Sequence, residues 1–322
     1  MNRARHGDED HSMGMMRSVL LAGSESRWLR HQAPRLGFVK KAVSRFMPGE
    51  QATDALNAAA ALRQHDIATL LTYLGENIAD IEEAARVTQH YADVLRRIRA
   101  TDLDSQISVK LTQLGLDVDK DTCLANLLTL VESASLQRRR VWIDMEQHTY
   151  VDVTLELYRQ ALAKLPNVGV CLQAYLYRTA SDLASLIPLG GGIRLVKGAY
   201  RESPSIAYPH KADVDQNYLT LAKQMIAPEA RAAGLCAVFG THDERIIQAI
   251  QAHASTADVA RDAFEFALLF GVQRTEQMQL AAQGYRVRVL ISYGEYWFPW
   301  YMRRLAERPA NVWFVARSLF AR

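Results

Sequence analysis

Lys110 and Asp144 stand near the ends of two successive short apolar runs, ISVKL (107–111) and VWIDM (141–145). An ammonium and a carboxylate set in apolar sequence need partners, because an unpaired buried ion costs several kcal/mol or gives up its charge. Each can serve the other, either as a structural ion pair or as the polar floor of a site that handles a charged molecule. Polar residues recur at the same place in later runs. Gln173 stands in VGVCLQA, Arg194 and Lys197 in IRLVKGA, Thr241 and His242 in LCAVFGTH, and Glu265 in FEFALL. So many polar run ends in one chain favour a site over a set of isolated ion pairs.

Arg303 and Arg304 carry a second chemical signal. With Trp300 they stand at i, i+3 and i+4, on one side of a helix. Two adjacent guanidiniums can grip one carboxylate through charge-assisted hydrogen bonds, while the indole covers an aliphatic ring. A solvated basic face pairing with Glu307 would use the same arginines. The surrounding Tyr296, Trp297, Phe298 and Tyr301 make the segment too aromatic for that alone.

These residues need elements to position them. Besides the six runs named, VGVCLQA at 168–174 among them, the chain carries VRVLISY at 287–293 and VWFVA at 312–316. The others are IRLVKGA (193–199), LCAVFGTH (235–242) and FEFALL (264–269), and helical patterns separate neighbours. Apolar runs that do not alternate suit parallel strands buried on both faces. Eight strand–helix units predict a (β/α)₈ barrel of TIM type more than an open sheet of about five or six strands. In such a barrel the chemistry lies at the C-terminal ends of the strands. The first hundred residues read as helical, with Ala52–His65 alanine-rich and Asn77–Arg99 apolar at three- and four-residue spacing. The predicted organisation is a helical extension over 1–100, its first 12–16 residues disordered, followed by a barrel over 101–322. The Gly190–Gly192 run precedes a strand, so it is a turn and not a dinucleotide loop.

Composition narrows the class. The 322 residues are 49% hydrophobic and 23% charged, which excludes a disordered or collagen-like chain. A formal charge of +3 is too balanced for a nucleic-acid protein. Cys123, Cys171 and Cys236 are dispersed and form no CxxC, which argues against a zinc site or a disulfide framework. No HExxH occurs, and His148 and His210 read as loop residues rather than metal ligands. The apolar run near the start, Ser18 to Ala22, is too short for a signal-peptide core, and a cytoplasmic protein is expected.

The motifs together resemble the proline dehydrogenase family in its stand-alone bacterial type. FMPGE (46–50), TYLGEN (72–77), SVKLTQLG (108–115) and WIDME (142–146) occur in the family's order. LQAYLYRT (172–179), RLVKGAY (194–200), FGTHD (239–243), FEFALLFG (264–271) and YMRRLAERPANVWFVARS (301–318) follow. RLVKGAY and the double-arginine helix are the specific ones. The resemblance implies an FAD enzyme on a distorted (β/α)₈ barrel that oxidises L-proline to Δ1-pyrroline-5-carboxylate. It implies that Arg303 and Arg304 hold the substrate carboxylate, and that Lys110, Asp144, Leu290 and Trp300 surround the ring. It places Arg194 near flavin N5 and Gln173 at the pyrimidine side of the flavin. Lys197, Gly198, Ala199 and Tyr200 follow along the cofactor, and Thr241 and His242 lie toward its pyrophosphate and adenosine. A quinone acceptor is implied too, with at least transient peripheral contact at the inner membrane.

The chain departs from the family pattern at two places. Its VLISYG puts Leu290 where relatives carry tyrosine and Ser292 where they carry proline, and Trp300 replaces a frequent tyrosine. These positions shape the pocket around the substrate ring, so a dehydrogenase of hydroxyproline or another cyclic imino acid is the nearest alternative. A helical or barrel binding module is the non-enzymatic one, distinguished by a purified protein without flavin colour. A metal- or phosphate-dependent aldolase on a (β/α)₈ barrel is disfavoured, because no phosphate loop follows the seventh run.

Overall fold

The computed structural model describes residues 43–302 apart from 76, 77, 79, 102, 299 and 300. Strands and helices alternate along the chain. In order they are α1 Ala52–Arg63, β1 Ala68–Tyr73, α2 Ile81–Thr101, β2 Ser105–Val109, α3 Lys120–Ser135 and β3 Val141–Ile143. Then come α4 Val151–Lys164, β4 Val168–Gln173, α5 Thr179–Leu186, β5 Gly192–Val196, α6 Lys211–Met225 and α7 Pro228–Ala232. The series ends with β6 Cys236–Gly240, α8 Glu244–Thr256, β7 Phe264–Leu269, α9 Arg274–Ala282 and β8 Arg286–Tyr293. Each strand pairs in parallel with the next, and β8 pairs back onto β1, closing the barrel.

Local sequence explains the elements. α2 buries Ala84, Val87, Tyr91, Val94, Leu95 and Ile98, one helical face turned to the barrel. Glu82 and Glu83 in its first turn and Arg99 in its last complement the helix dipole. β4, VGVCLQ, is buried at all positions because one face meets helices and the other the barrel interior. Within the barrel, Leu70, Trp142, Val238 and Ala267 form a separate cluster, with Leu290 packed against it.

The barrel is as predicted, but its strand count starts earlier. ATLLTY at 68–73 is β1 and lies inside the segment read as wholly helical, so the boundary expected at 100/101 falls instead near Ala68. Six residues between two strong helical patterns are easily absorbed into them, and only pairing with β2 and β8 makes this segment a strand. The first seven runs therefore become β2 to β8. VWFVA at 312–316 lies outside the described residues, as do the first dozen, and the closed barrel is complete without them. α1 packs on β1 and β8.

Glu265 is a second correction. It is the second residue of β7, far from the C-terminal mouth, and it accepts from Arg288 Nε at 2.7 Å and Nη2 at 3.2 Å. It serves the barrel's buried base.

Candidate active site

A cavity of about 760 Å³ opens at the C-terminal mouth of the barrel. Lys110, Asp144, Gln173 and Arg194 line its floor, joined by Lys197 to Tyr200, Thr241, His242 and Leu290. All predicted site residues within the described part of the chain thus meet in one cavity. Trp300, Arg303 and Arg304 lie outside the described residues.

The floor centres on Asp144, which follows β3 directly. Its Oδ1 accepts from Ser108 Oγ at 2.7 Å and from Arg194 Nη2, and its Oδ2 lies 3.6 Å from Lys110 Nζ. Burial pushes the Asp144 carboxyl up, but Arg194, Lys110 and the Ser108 hydroxyl outweigh it and hold the group below the usual range. Arg194 is 4% exposed and places its guanidinium carbon 5.5 Å from the centre of the Trp142 ring. The arrangement is an ionised carboxylate shared between two cations, so the floor keeps a net positive charge.

Two buried atoms of this floor are left over. Arg194 Nη1 and Gln173 Oε1 have no hydrogen-bond partner, although their residues line the cavity. Gln173 Nε2 donates to the carbonyls of Glu146 at 3.1 Å and Met145 at 3.4 Å, which fixes the amide with its oxygen free. A buried polar group without a partner costs about 1–3 kcal/mol. One donor and one acceptor in one cavity suit a planar polar ring that carries both, and a flavin is such a ring.

Further along the cavity the residues turn ionic. Lys197 Nζ binds Asp215 at 2.5 Å and Asp243 at 2.8 Å, and Lys211 binds the same two carboxylates. Burial works against the charge of Asp243, but the two lysines win and bring its carboxyl down to about 2. Gly198 has φ +117°, and a Cβ there would fall 2.2 Å from the Tyr175 ring, so only glycine lets the backbone run along this wall. The loop continues to Glu202, whose carboxylate takes the His148 backbone N–H at 3.0 Å and lies 2.5 Å from its Nδ1. His242 Nε2 accepts from the Leu269 N–H at 3.2 Å.

Several contributors were not visible as motifs. Ser108 and Cys171 lie in strand interiors, and Asp215 reaches the site from α6. The alternation of β2, with Ser108 and Lys110 two apart, is the one signal that could have flagged Ser108.

Comparison with known proteins supplies the family and agrees with the fold. The family model described as proline dehydrogenase matches residues 55–317. Proline dehydrogenase of Deinococcus radiodurans is 41% identical, covering 86% of this chain and 89% of that protein. Proline dehydrogenase 1 of Bacillus subtilis subsp. natto is 34% identical over 95% of this chain and 99% of its own length. Among solved structures, proline utilization A from Bdellovibrio bacteriovorus superposes with a TM-score of 0.78 at 23% identity, over 93% of this chain. The chain spans 37% of that protein's length, so this likeness bears on the fold. A barrel closed from β1 to β8, a cationic floor at its mouth and this family match lead to one conclusion: the chain belongs to the proline dehydrogenase family, oxidoreductases that act on proline.

Proposed function

We propose that this chain oxidises L-proline to Δ1-pyrroline-5-carboxylate using FAD held in the barrel mouth. The observation that carries the reading is the pair of unpartnered buried atoms, Arg194 Nη1 and Gln173 Oε1, beside an Asp144 bridged to Lys110. Gln173 would accept from the pyrimidine edge of the ring, and Arg194 would sit near N5. Lys197, Gly198, Ala199, Tyr200, Thr241 and His242 would follow the rest of the cofactor. FAD bound there would supply the acceptor for the hydride that leaves C5 of the proline ring.

The chain's own residues prepare that step. Lys110 keeps the floor positive, which disfavours a protonated proline nitrogen and leaves its lone pair available for the imine. Arg194 would place its positive charge beside a bound flavin, where it would stabilise the reduced ring. Arg303 and Arg304 would clamp the carboxylate, and Trp300 and Leu290 would close on the ring. Lys197 would face the pyrophosphate while Asp215 and Asp243 hold it in place.

A quinone is the proposed electron acceptor, reached by peripheral contact of a cytoplasmic protein with the inner membrane. The support is the family resemblance. No described helix is long and apolar enough to cross a membrane. Anaerobic titration of the purified protein with L-proline tests the reading: yellow flavin absorbance should bleach in proportion to added proline. A colourless protein, or a flavin that proline leaves oxidised, overturns it.

A further inference from the structure

Side-chain hydrogen bonds lace the barrel mouth from β1 to β4. Gln113 Nε2 donates to the Tyr73 carbonyl at 2.8 Å, and its Oε1 accepts from the Lys110 backbone N–H at 3.3 Å. The adjacent Thr112 donates twice to Glu146, from its N–H to Oε1 at 3.3 Å and from Oγ1 to Oε2 at 2.9 Å. Glu146 in turn offers its backbone carbonyl to Gln173. Thr112, Gln113, Glu146 and Gln173 are all buried, at 0%, 1%, 6% and 3% exposure.

The spacing of these links matters. Thr112 lies two residues past Lys110, and Glu146 lies two residues past Asp144. The Thr112–Glu146 link therefore repeats, one step further along, the connection made by the Lys110–Asp144 ion pair. A buried carboxylate is costly unless donors hold it, so its two bonds to Thr112 make the loop after β3 rigid relative to the turn after β2. Glu146 does not line the cavity, although its neighbours Asp144 and Met145 do.

We propose that Glu146 is a positioning residue for proline oxidation, setting the spacing of Lys110 and Asp144 and, through its carbonyl, the aim of the Gln173 amide. This rests on the function proposed above. Removing the Glu146 side chain leaves the two Thr112 donors unmet and frees the loop that carries Asp144. The groups that face Asp144 are Lys110 from the turn after β2, Cys171 from β4, Arg194 from β5 and Tyr91 from α2. Lys110 and Arg194 hold the carboxyl low, so a looser loop lets it rise.

The test compares wild type, Glu146→Ala and Glu146→Gln as holoenzymes. kcat/KM for proline should fall about tenfold to hundredfold in Glu146→Ala. The acid limb of its pH profile should move up, as Lys110 and Arg194 lose their hold on the Asp144 carboxyl, and the absorbance maximum of the bound flavin should shift. Glu146→Gln keeps one acceptor oxygen and should fall between. If Glu146→Ala does not fold, Thr112→Val removes only the hydroxyl and should show the same shifts in weaker form. A lowered melting temperature with an unmoved acid limb and flavin spectrum means Glu146 is merely structural, and the proposal fails. If wild-type flavin is not bleached by proline, the proposed function has failed instead. A spectral shift in Glu146→Ala would then still report on Gln173.

Discussion

Arg194 and Gln173 face one cavity from neighbouring strands, β5 and β4, each with a single buried polar atom to spare. One offers a donor and the other an acceptor, and both are fixed by other bonds, Arg194 through Ser108 and Asp144, Gln173 through two carbonyls. The pair is thus already oriented for a ligand and needs no side-chain rearrangement to receive it.

Arg194→Met should lower the reduction potential of the bound flavin. The substitution removes the cation that would stabilise the anionic reduced ring, and for a two-electron couple about 30 mV corresponds to 1.4 kcal/mol. Redox titration against a dye of known potential measures it. An unchanged potential with FAD fully bound would count against a place for Arg194 near N5.

Arg303→Met should weaken the use of proline about tenfold to hundredfold in kcat/KM. Losing one charge-assisted partner to a carboxylate costs about 1.5–3 kcal/mol. Steady-state kinetics with intact flavin content checks this, and wild-type values in the variant would remove the arginine from the carboxylate clamp.

The Lys197–Asp215–Asp243–Lys211 network makes acid sensitivity predictable. The folded-state carboxyl of Asp243 lies at about 2, below its ordinary value of 3.8. A depressed carboxyl contributes stability that is fully present above the ordinary value and lost as pH falls through the folded one. The contribution should therefore hold above about pH 4 and fade as pH drops toward 2. Asp144 is also held low and should add to the same decline. Thermal melts across this range should show a shallower pH dependence for Asp243→Asn than for wild type. Parallel curves would contradict the assignment.

The barrel was legible because seven short, mainly apolar runs of strand length are separated by helical patterns, an order that suits a parallel sheet covered by helices. β1 was not, because Thr69 and Thr72 interrupt ATLLTY and helical patterns flank it on both sides. In the structure Thr69 Oγ1 lies 2.6 Å from Ser105 Oγ, a contact set by register and not by local sequence. The floor residues were legible because a charge inside an apolar run is conspicuous. Glu265 looks the same in sequence, yet two residues' difference along its strand places it at the base with Arg288. The tether from Glu146 to Thr112 was invisible, since it joins residues 34 apart whose proximity follows from the pairing of β2 with β3.

Ring selectivity is the last consequence, and it rests on β8. Leu290 lines the cavity and also packs against the interior cluster of Leu70, Trp142, Val238 and Ala267, so it is wall and core at once. A leucine where the family resemblance implies tyrosine leaves a shorter, more apolar wall, which alone would favour apolar ring substituents over a hydroxyl. Ser292 changes that expectation. It stands two residues further along the same strand, lines the same cavity and keeps a buried Oγ without a partner. A substituent hydroxyl could satisfy it, and a site group left unpaired by one substrate but met by another discriminates by about 1–3 kcal/mol. The expected outcome is that Ser292→Ala lowers kcat/KM for 4-hydroxyproline relative to proline, about fivefold or more, while leaving proline itself nearly unchanged. Leu290→Tyr should depress bulky apolar analogues most. Measuring proline, 4-hydroxyproline and pipecolate in the three proteins decides the matter. If the ratios stay constant in Ser292→Ala, the hydroxyl does not read the ring, and if they stay constant in Leu290→Tyr, neither does the wall.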